Sequence, residues 1–156
     1  MGIDTHIKFD GIDGESVHKD HKGEISLLSW SWGLTSAAGA ATGAGKRKAL
    51  PQEMRIVHRY DKASPMLAKQ AVMGKHVPSA VLTSRHTGEG QNDFLKVTLK
   101  EVLITSVQVS DGGEGATEEV AMSYGFIDFE YRPEDPKGGL SRPVQFSWNI
   151  KSGKVS

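Results

Sequence analysis

The sequence predicts a mainly β fold, a small antiparallel β-barrel or two-sheet sandwich with one α-helix and a long extended loop. Short segments that alternate apolar and polar residues fill most of the chain, and clusters of turn residues separate them. Segment 64–74 has the residues of a helix instead. A Gly/Ala-rich stretch, about 35–48, has too few large side chains to fold alone. These observations favour a rigid β platform with a flexible arm.

Segment 24–36 is expected to form a strand that contains two tryptophans. Successive side chains of a strand point to opposite faces, so alternate residues here should share a face. The residues expected to point into the core are Leu28, Trp30 and Trp32. Those expected on the opposite face are Leu27, Ser29 and Ser31. A face lined by small hydroxyls suits a surface that lines a space or slides past another molecule.

Further strands follow from the same alternation of apolar and polar residues. Segment 94–109 is long enough for one bent strand or two, because its apolar residues break a simple alternation. Segment 143–150 has the cleanest pattern, with four apolar side chains on one face: Val144, Phe146, Trp148 and Ile150. The other predicted strands span 3–10, 52–60, 79–85 and 119–131.

The helix is predicted from its end signals. Ser64 is the expected N-cap, Pro65 occupies the first helical position, and Gly74 follows the last residue. Apolar residues between them give one modest face, which predicts a helix laid on the β structure.

Composition limits the class of protein. With 156 residues, the chain is expected to form a single domain, 1–156, with one core. Basic and acidic residues each number 19, and this balance argues against a nucleic-acid surface and allows copies to associate without strong repulsion. The absence of cysteine excludes disulfides and thiolate chemistry. The N-terminus lacks the pattern of a Sec signal, and no apolar run approaches the ~20 residues of a membrane span.

No pattern indicates a catalytic, metal or cofactor site. Segment 39–47 lacks the glycine and the Ser/Thr that a phosphate-binding loop needs. His18 and His21 lie close together, but the other histidines are spread over different elements, which favours a solvated turn over a metal site. Glu118 and Glu119 are expected on the solvated edge of a strand. We therefore expect no enzyme activity, no bound metal and no cofactor.

Several motifs resemble those of the Hcp (haemolysin-coregulated protein) family, whose members form the tube of bacterial type VI secretion systems. They occur in the family's order over nearly the whole chain. The motifs are IDGES (12–16), KDHK (19–22), LSWSWG (28–33), DKASP (61–65), GKH (74–76), AVLT (80–83), FLK (94–96), LKEVL (99–103), FEYRP (129–133) and Trp148. The chain departs from the family at Ser147, commonly glycine, and in segment 55–58. Both departures are local and could alter contacts between subunits.

The resemblance implies a small barrel with one helix, six copies of which close into a ring. Rings stack into a tube inside a contractile sheath, a spike protein caps the tube, and small effectors travel in the lumen. The protein would be made in the cytoplasm and exported without a cleaved signal peptide. An effector-binding chaperone that works as soluble rings is the alternative, and a β-barrel enzyme is a third class.

Site residues follow from combining this resemblance with the residue pattern. Ser29 and Ser31 are expected to face the lumen and its effectors. The core should contain the three tryptophans, Trp30, Trp32 and Trp148. The arm is expected to contact the adjacent ring, through a set that comprises Leu34, Lys46, Arg47, Lys48 and Leu50.

Overall fold

The computed structural model describes residues 2–37, 48–88 and 90–156. Within them the chain forms ten strands and one helix. The strands are β1 (Ile3–Phe9), β2 (Ile25–Ser31), β3 (Leu34–Ala37), β4 (Lys48–Pro51), β5 (Met54–Arg59), β6 (Val77–His86), β7 (Leu95–Asp111), β8 (Ala116–Ser123), β9 (Phe126–Tyr131) and β10 (Val144–Asn149), and the helix α1 spans Ser64–Met73. No helix of the described residues has the length and apolar character needed to cross a membrane.

Six antiparallel strands close into a barrel, which confirms the predicted fold class. Their order is β7-β6-β1-β2-β5-β8, and β8 pairs again with β7. β9 continues the sheet from β7, and β10 pairs with β9. Closure leaves these six strands without a free edge, which removes a common route to unspecific aggregation.

The long predicted strand at 94–109 is a single bent strand, β7. Its first half pairs with β6 and β9, and its second half pairs with β8. The change of partner coincides with Glu101, whose φ is 52°, and with an irregular register between Ile104 and Ser106. Such irregularities bend a strand, and here the bend turns β7 around the barrel.

The single strand predicted over 119–131 is wrong, because the chain forms two strands, β8 and β9, with Tyr124 and Gly125 between them. A Cβ on Gly125 would lie 3.3 Å from the Cβ of Glu101, which is tighter than most such contacts. The N–H of Gly125 donates to the carbonyl of Lys100 at 2.9 Å. Glycine therefore lets the chain pass close to β7 where it changes partner.

The predicted facing of Leu27 and Leu28 is also wrong. The β2–β5 register shifts between Leu27 and Ser29, so that Leu28 is an extra residue with no partner on β5. Leu28 is 51% exposed, whereas Leu27 packs against the core opposite the buried His58. The bulge exchanges the faces of these two leucines and leaves Trp30 on the inner face, opposite Ile56. A one-residue irregularity of this kind has no signal in the alternation.

Helix α1 begins one residue earlier than predicted, at Ser64 and not at Pro65. The N-cap is Ala63, which makes no side-chain capping bond, and Ser64 is the first helical residue. The Ser64 hydroxyl instead accepts a hydrogen bond from the N–H of Asp61 at 3.1 Å. The C-terminal signal was read correctly, because Gly74 has a φ of 61° and ends the helix in the left-handed conformation.

The arm has more structure at its base than predicted. Strand β2 ends at Ser31, before the predicted limit of 36, and β3 pairs antiparallel with β4 as a two-stranded ribbon. In this ribbon Leu34 lies opposite Pro51 and Thr35 opposite Leu50. The centre of the arm, which includes Lys46 and Arg47, lies outside the described residues.

Apolar side chains from all six barrel strands fill one core. Trp148 joins this core with only 7% exposure, although β10 lies outside the closed barrel. Trp30 and Trp32 are half-buried and pack against it. The face predicted for the last strand is less uniform than its alternation indicates, since Val144 is 66% exposed at its start.

Candidate lumen face and assembly surfaces

The outer face of β2, β5, β8 and β7 carries two rows of mostly small or polar side chains. Cross-strand pairing places Ser29, Val57, Glu119 and Gln108 in one row. The neighbouring row consists of Ser31, Arg55, Ala121 and Ser106. Ser29 and Ser31 are both exposed. The bulge after Leu27 determines which side chains of β2 point outward, and it places both hydroxyls on this outer face. We call the two rows together the polar wall.

Arg55 is the charged centre of the polar wall. Its guanidinium lies 3.3 Å from Glu119 and 3.6 Å from Glu53. Shallow depressions of about 430 and 380 Å³ lie on either side of it. All three charged side chains remain partly exposed, so these ion pairs contribute little to stability. One basic and two acidic side chains thus make the wall hydrophilic.

A hydrogen-bonded relay fixes the base of the arm to the barrel. The indole N–H of Trp32, just after β2, donates to the hydroxyl of Tyr124. That hydroxyl donates in turn to the carbonyl of Gln52, just after β4, at 2.6 Å. Burial raises the pKa of the Tyr124 hydroxyl, which therefore stays protonated and keeps its donor. Both ends of the arm are thus joined to the turn between β8 and β9.

An apolar groove of about 540 Å³ runs between the arm ribbon and the C-terminal part of the chain. Leu34 and Leu50, which are 41% and 47% exposed, line its ribbon side together with Pro51. The opposite side consists of Phe146, Trp148, Ile150 and Val155. Exposed apolar surface of this kind is typical of a protein contact site.

Two polar groups were misread from the sequence. Glu118 is only 1% exposed, not on a solvated edge, and accepts a hydrogen bond from His58 at 2.7 Å. His21 is buried between two carboxylates and lies beside His6, whereas only His18 forms the expected turn contact with the backbone. In both cases the side chain contacts residues on other elements of the fold. The periodicity of a single segment contains no information about such contacts.

Comparison with known proteins identifies the family. The family model for "Type VI secretion system effector, Hcp" matches residues 6–131. Hcp1 of Pseudomonas aeruginosa is 38% identical over 159 residues, which cover 97% of each chain. The chain belongs to the Hcp family. The resemblance read from its motifs is confirmed, and the chain is a protein of the type VI secretion system.

Solved structures of Hcp and related proteins have the same fold over the whole chain. The crystal structure of Hcp1 from Salmonella typhimurium superposes with a TM-score of 0.81 at 32% identity and covers 100% of both chains. The structure of a type six secretion system protein gives 0.90 at 26% identity, with 99% of this chain and 100% of that chain covered. The departures at Ser147 and in segment 55–58 therefore leave the Hcp fold intact.

The structure separates the residues predicted for the lumen from those predicted for the arm. Ser29 and Ser31 lie on the polar wall, and Leu34 and Leu50 lie along the apolar groove. Lys48 begins β4, while Lys46 and Arg47 fall outside the described residues. Sequence reasoning missed Arg55 and Glu119 as members of the wall, because their proximity depends on the pairing of β5 with β8.

Proposed function

We propose that this Hcp protein assembles into hexameric rings that stack into the inner tube of the type VI secretion system. The observation that carries the proposal is the family match, supported by a fold shared over the whole chain with other Hcp proteins. Its role is structural and not enzymatic. The tube would lie inside the contractile sheath, bear the spike protein at its tip and leave the cell without a cleaved signal peptide.

Ring closure requires two different surfaces of one subunit to meet, since a head-to-tail contact generates a ring when the rotation closes. Stacking requires a second contact, between adjacent rings, and the apolar groove supports it, because a neighbouring copy would remove the two arm leucines from water. The formal net charge of +0 supports assembly further, because it adds little repulsion between copies.

The polar wall is the proposed lining of the lumen, where small effectors would be carried. Its serines offer hydrogen bonds without a large apolar anchor, so each contact with a cargo protein is weak. Repetition around a ring multiplies such weak contacts. Export needs a cargo that is retained during transport and released afterwards, and a wall of weak, repeated contacts is suited to both.

Mass photometry and light scattering of the purified protein test the proposal. We expect a species of about six times the 16.9 kDa subunit mass, with tubes visible by electron microscopy at higher concentration. Each subunit contact should bury at least ~1,000 Å² in total if it is specific. A monomer at tens of micromolar would exclude this function, and rings that never stack in secreting cells would favour a soluble effector chaperone.

A further inference from the structure

Three histidine rings from two parts of the chain pack together on the barrel surface. The rings of His6 and His21 are stacked with their centroids 4.9 Å apart. The ring of His18 lies 5.3 Å from His6 and 5.6 Å from His21. His6 belongs to β1, whereas the other two belong to residues 13–24, which we call the histidine loop.

Charged side chains attach the histidine loop to the barrel. One ring nitrogen of His21 lies 3.0 Å from Glu24 within the loop, and the other lies 3.0 Å from Asp93, which precedes β7. Both are hydrogen bonds when His21 is the imidazolium, because a neutral ring has only one N–H. Arg85 of β6 joins the same cluster, at 2.8 Å from Asp93 and 2.7 Å from Asp20 of the loop.

His6 differs from the other two histidines in having a buried ring nitrogen with no polar partner among the described residues. The residue is 4% exposed, and the nitrogen is Nδ1. A proton added to the buried Nδ1 would therefore lie close to the cationic Arg85 and beside two other imidazole rings. The histidine loop would have to move for the new charge to reach water.

We propose that the histidine cluster is an acid-sensitive latch, in which protonation of His6 releases the histidine loop from the barrel wall. The loop carries Val17 and Lys19 on its exposed side, so its release changes a patch of the outer surface while the barrel stays closed. The proposal depends on the geometry of the cluster and is independent of ring formation.

The charges around His6 come from every element that packs on it. His21 and His18 face it from the loop, Arg85 faces it from β6, and Asp4 faces it from its own strand. Asp93, Asp20 and Glu24 are already bound to Arg85 or His21. Burial first, and then the neighbouring histidines, lower the pKa of His6 to about 4, with Asp4 as the opposing influence. Arg85 holds the pKa of both Asp20 and Asp93 below the usual range, so these carboxylates keep their charge in mild acid.

The direction of the pH effect follows from this lowered pKa. With the loop released, His6 regains its ordinary pKa near 6.5 and binds a proton that the closed form does not bind. The free energy that favours the closed form over the open form is therefore largest above about pH 6.5, and it decreases as the pH falls toward 4. Within this window the population of the open form should rise by up to about tenfold per pH unit.

Hydrogen–deuterium exchange of the full-length protein between pH 4.5 and 7 tests the latch, after correction for the intrinsic pH dependence of exchange. We expect the protection of peptides from the histidine loop to fall in acid, while the core part of β7 stays protected. His6→Phe keeps a stacked ring without a titrating nitrogen and should abolish most of the pH dependence. His76→Gln, which changes an exposed histidine, should behave like the wild type.

Loop protection that does not vary with pH would overturn the proposal, as would an unchanged pH dependence in His6→Phe. Simultaneous loss of protection in the loop and in β7 would also contradict it, because that result indicates global unfolding. If His6→Phe does not give a native circular dichroism spectrum, His6→Gln replaces it with the same two outcomes.

Discussion

Glu118 and His58 form a buried hydrogen-bonded pair that crosses from β8 to β5 inside the barrel. The two side chains are 1% and 0% exposed, and 2.7 Å separates the bonded atoms. Asp61 approaches the other ring nitrogen of His58 at 3.8 Å. A buried polar group loses more free energy than an exposed one when its partner is removed, because water does not replace the lost contact.

Glu118→Ala should lower the free energy of unfolding by about 1–3 kcal/mol, since it leaves the buried imidazole without its closest partner. Urea denaturation at pH 7 measures the change. The matched control is Glu119→Ala on the same strand, which removes an exposed ion pair with Arg55 and should cost no more than about 1 kcal/mol. Similar midpoints for the two variants would show that the buried pair contributes little.

At the scale of single elements, much could be predicted from the sequence. Alternation located β1, β5, β6 and β10 to within a few residues, and Gly74 ended the helix as expected. These features depend on neighbours in the chain, which the pattern contains. The faces of Leu27 and Leu28 were wrong, because the bulge in β2 is set by pairing with β5. The break at Gly125 was missed for the same reason, since the close approach of Gly125 to Glu101 is a contact across the sheet.

The candidate site likewise contains residues that could be predicted from the sequence and residues that could not. Ser29 and Ser31 were placed on the exposed face because they alternate with the tryptophans. Arg55 and Glu119, which lie beside them on the polar wall, were not found, since β5 and β8 meet only in the folded barrel. The ribbon at the base of the arm was missed too. Its strands are only four residues each, and its contact with the barrel includes the distant Tyr124, whose hydroxyl donates to Gln52.

Tyr124→Phe tests whether the relay holds the arm in place. The substitution keeps the ring but removes the acceptor for Trp32 and the donor for Gln52. We expect a loss of about 1–2 kcal/mol in stability and faster amide exchange in β3 and β4 than in the barrel. Tyr60→Phe, which changes a 47% exposed tyrosine, serves as the control and should alter neither quantity. Unchanged exchange in the ribbon of Tyr124→Phe would show that packing alone fixes the arm.

For the whole molecule, the proposed lumen is tested by enlarging one side chain of the polar wall. Ser31→Gln should leave rings intact, because the serine is exposed and its neighbours on the wall are small or flexible. It should lower the amount of effector that co-purifies, since the longer amide projects into the space that cargo would occupy. Ser152→Gln, at an exposed position near the C-terminus, is the control. Failure of Ser31→Gln to fold, or normal recovery of cargo, would contradict the assignment of this face.

Stacking of rings is expected to depend on the positive charges of the arm. Exchange of Lys46, Arg47 and Lys48 for Glu should preserve ring formation and melting temperature but abolish stacking and secretion. The same three residues changed to Gln should give an intermediate result, because charge is removed and not reversed. Each exposed ion pair contributes only ~0–1 kcal/mol, but repetition around a ring multiplies the effect. Normal tubes from the triple Glu variant would show that the arm is a tolerated loop.

Charge reversal in one of the two acidic segments, 10–15 and 111–119, identifies the segment that contacts the arm of the adjacent ring. In segment 10–15, two acidic side chains already have partners. Asp13 pairs with Lys8 at 2.6 Å, and Glu15 accepts a hydrogen bond from the N–H of Lys62 at 2.7 Å. In segment 111–119, Asp111 and Glu114 are exposed, and neither is among the ion pairs of the described residues. We therefore expect Asp111→Lys with Glu114→Lys to restore stacking to the triple Glu variant, as observed by electron microscopy of tubes. Rescue by Asp10→Lys instead would assign the contact to the other segment.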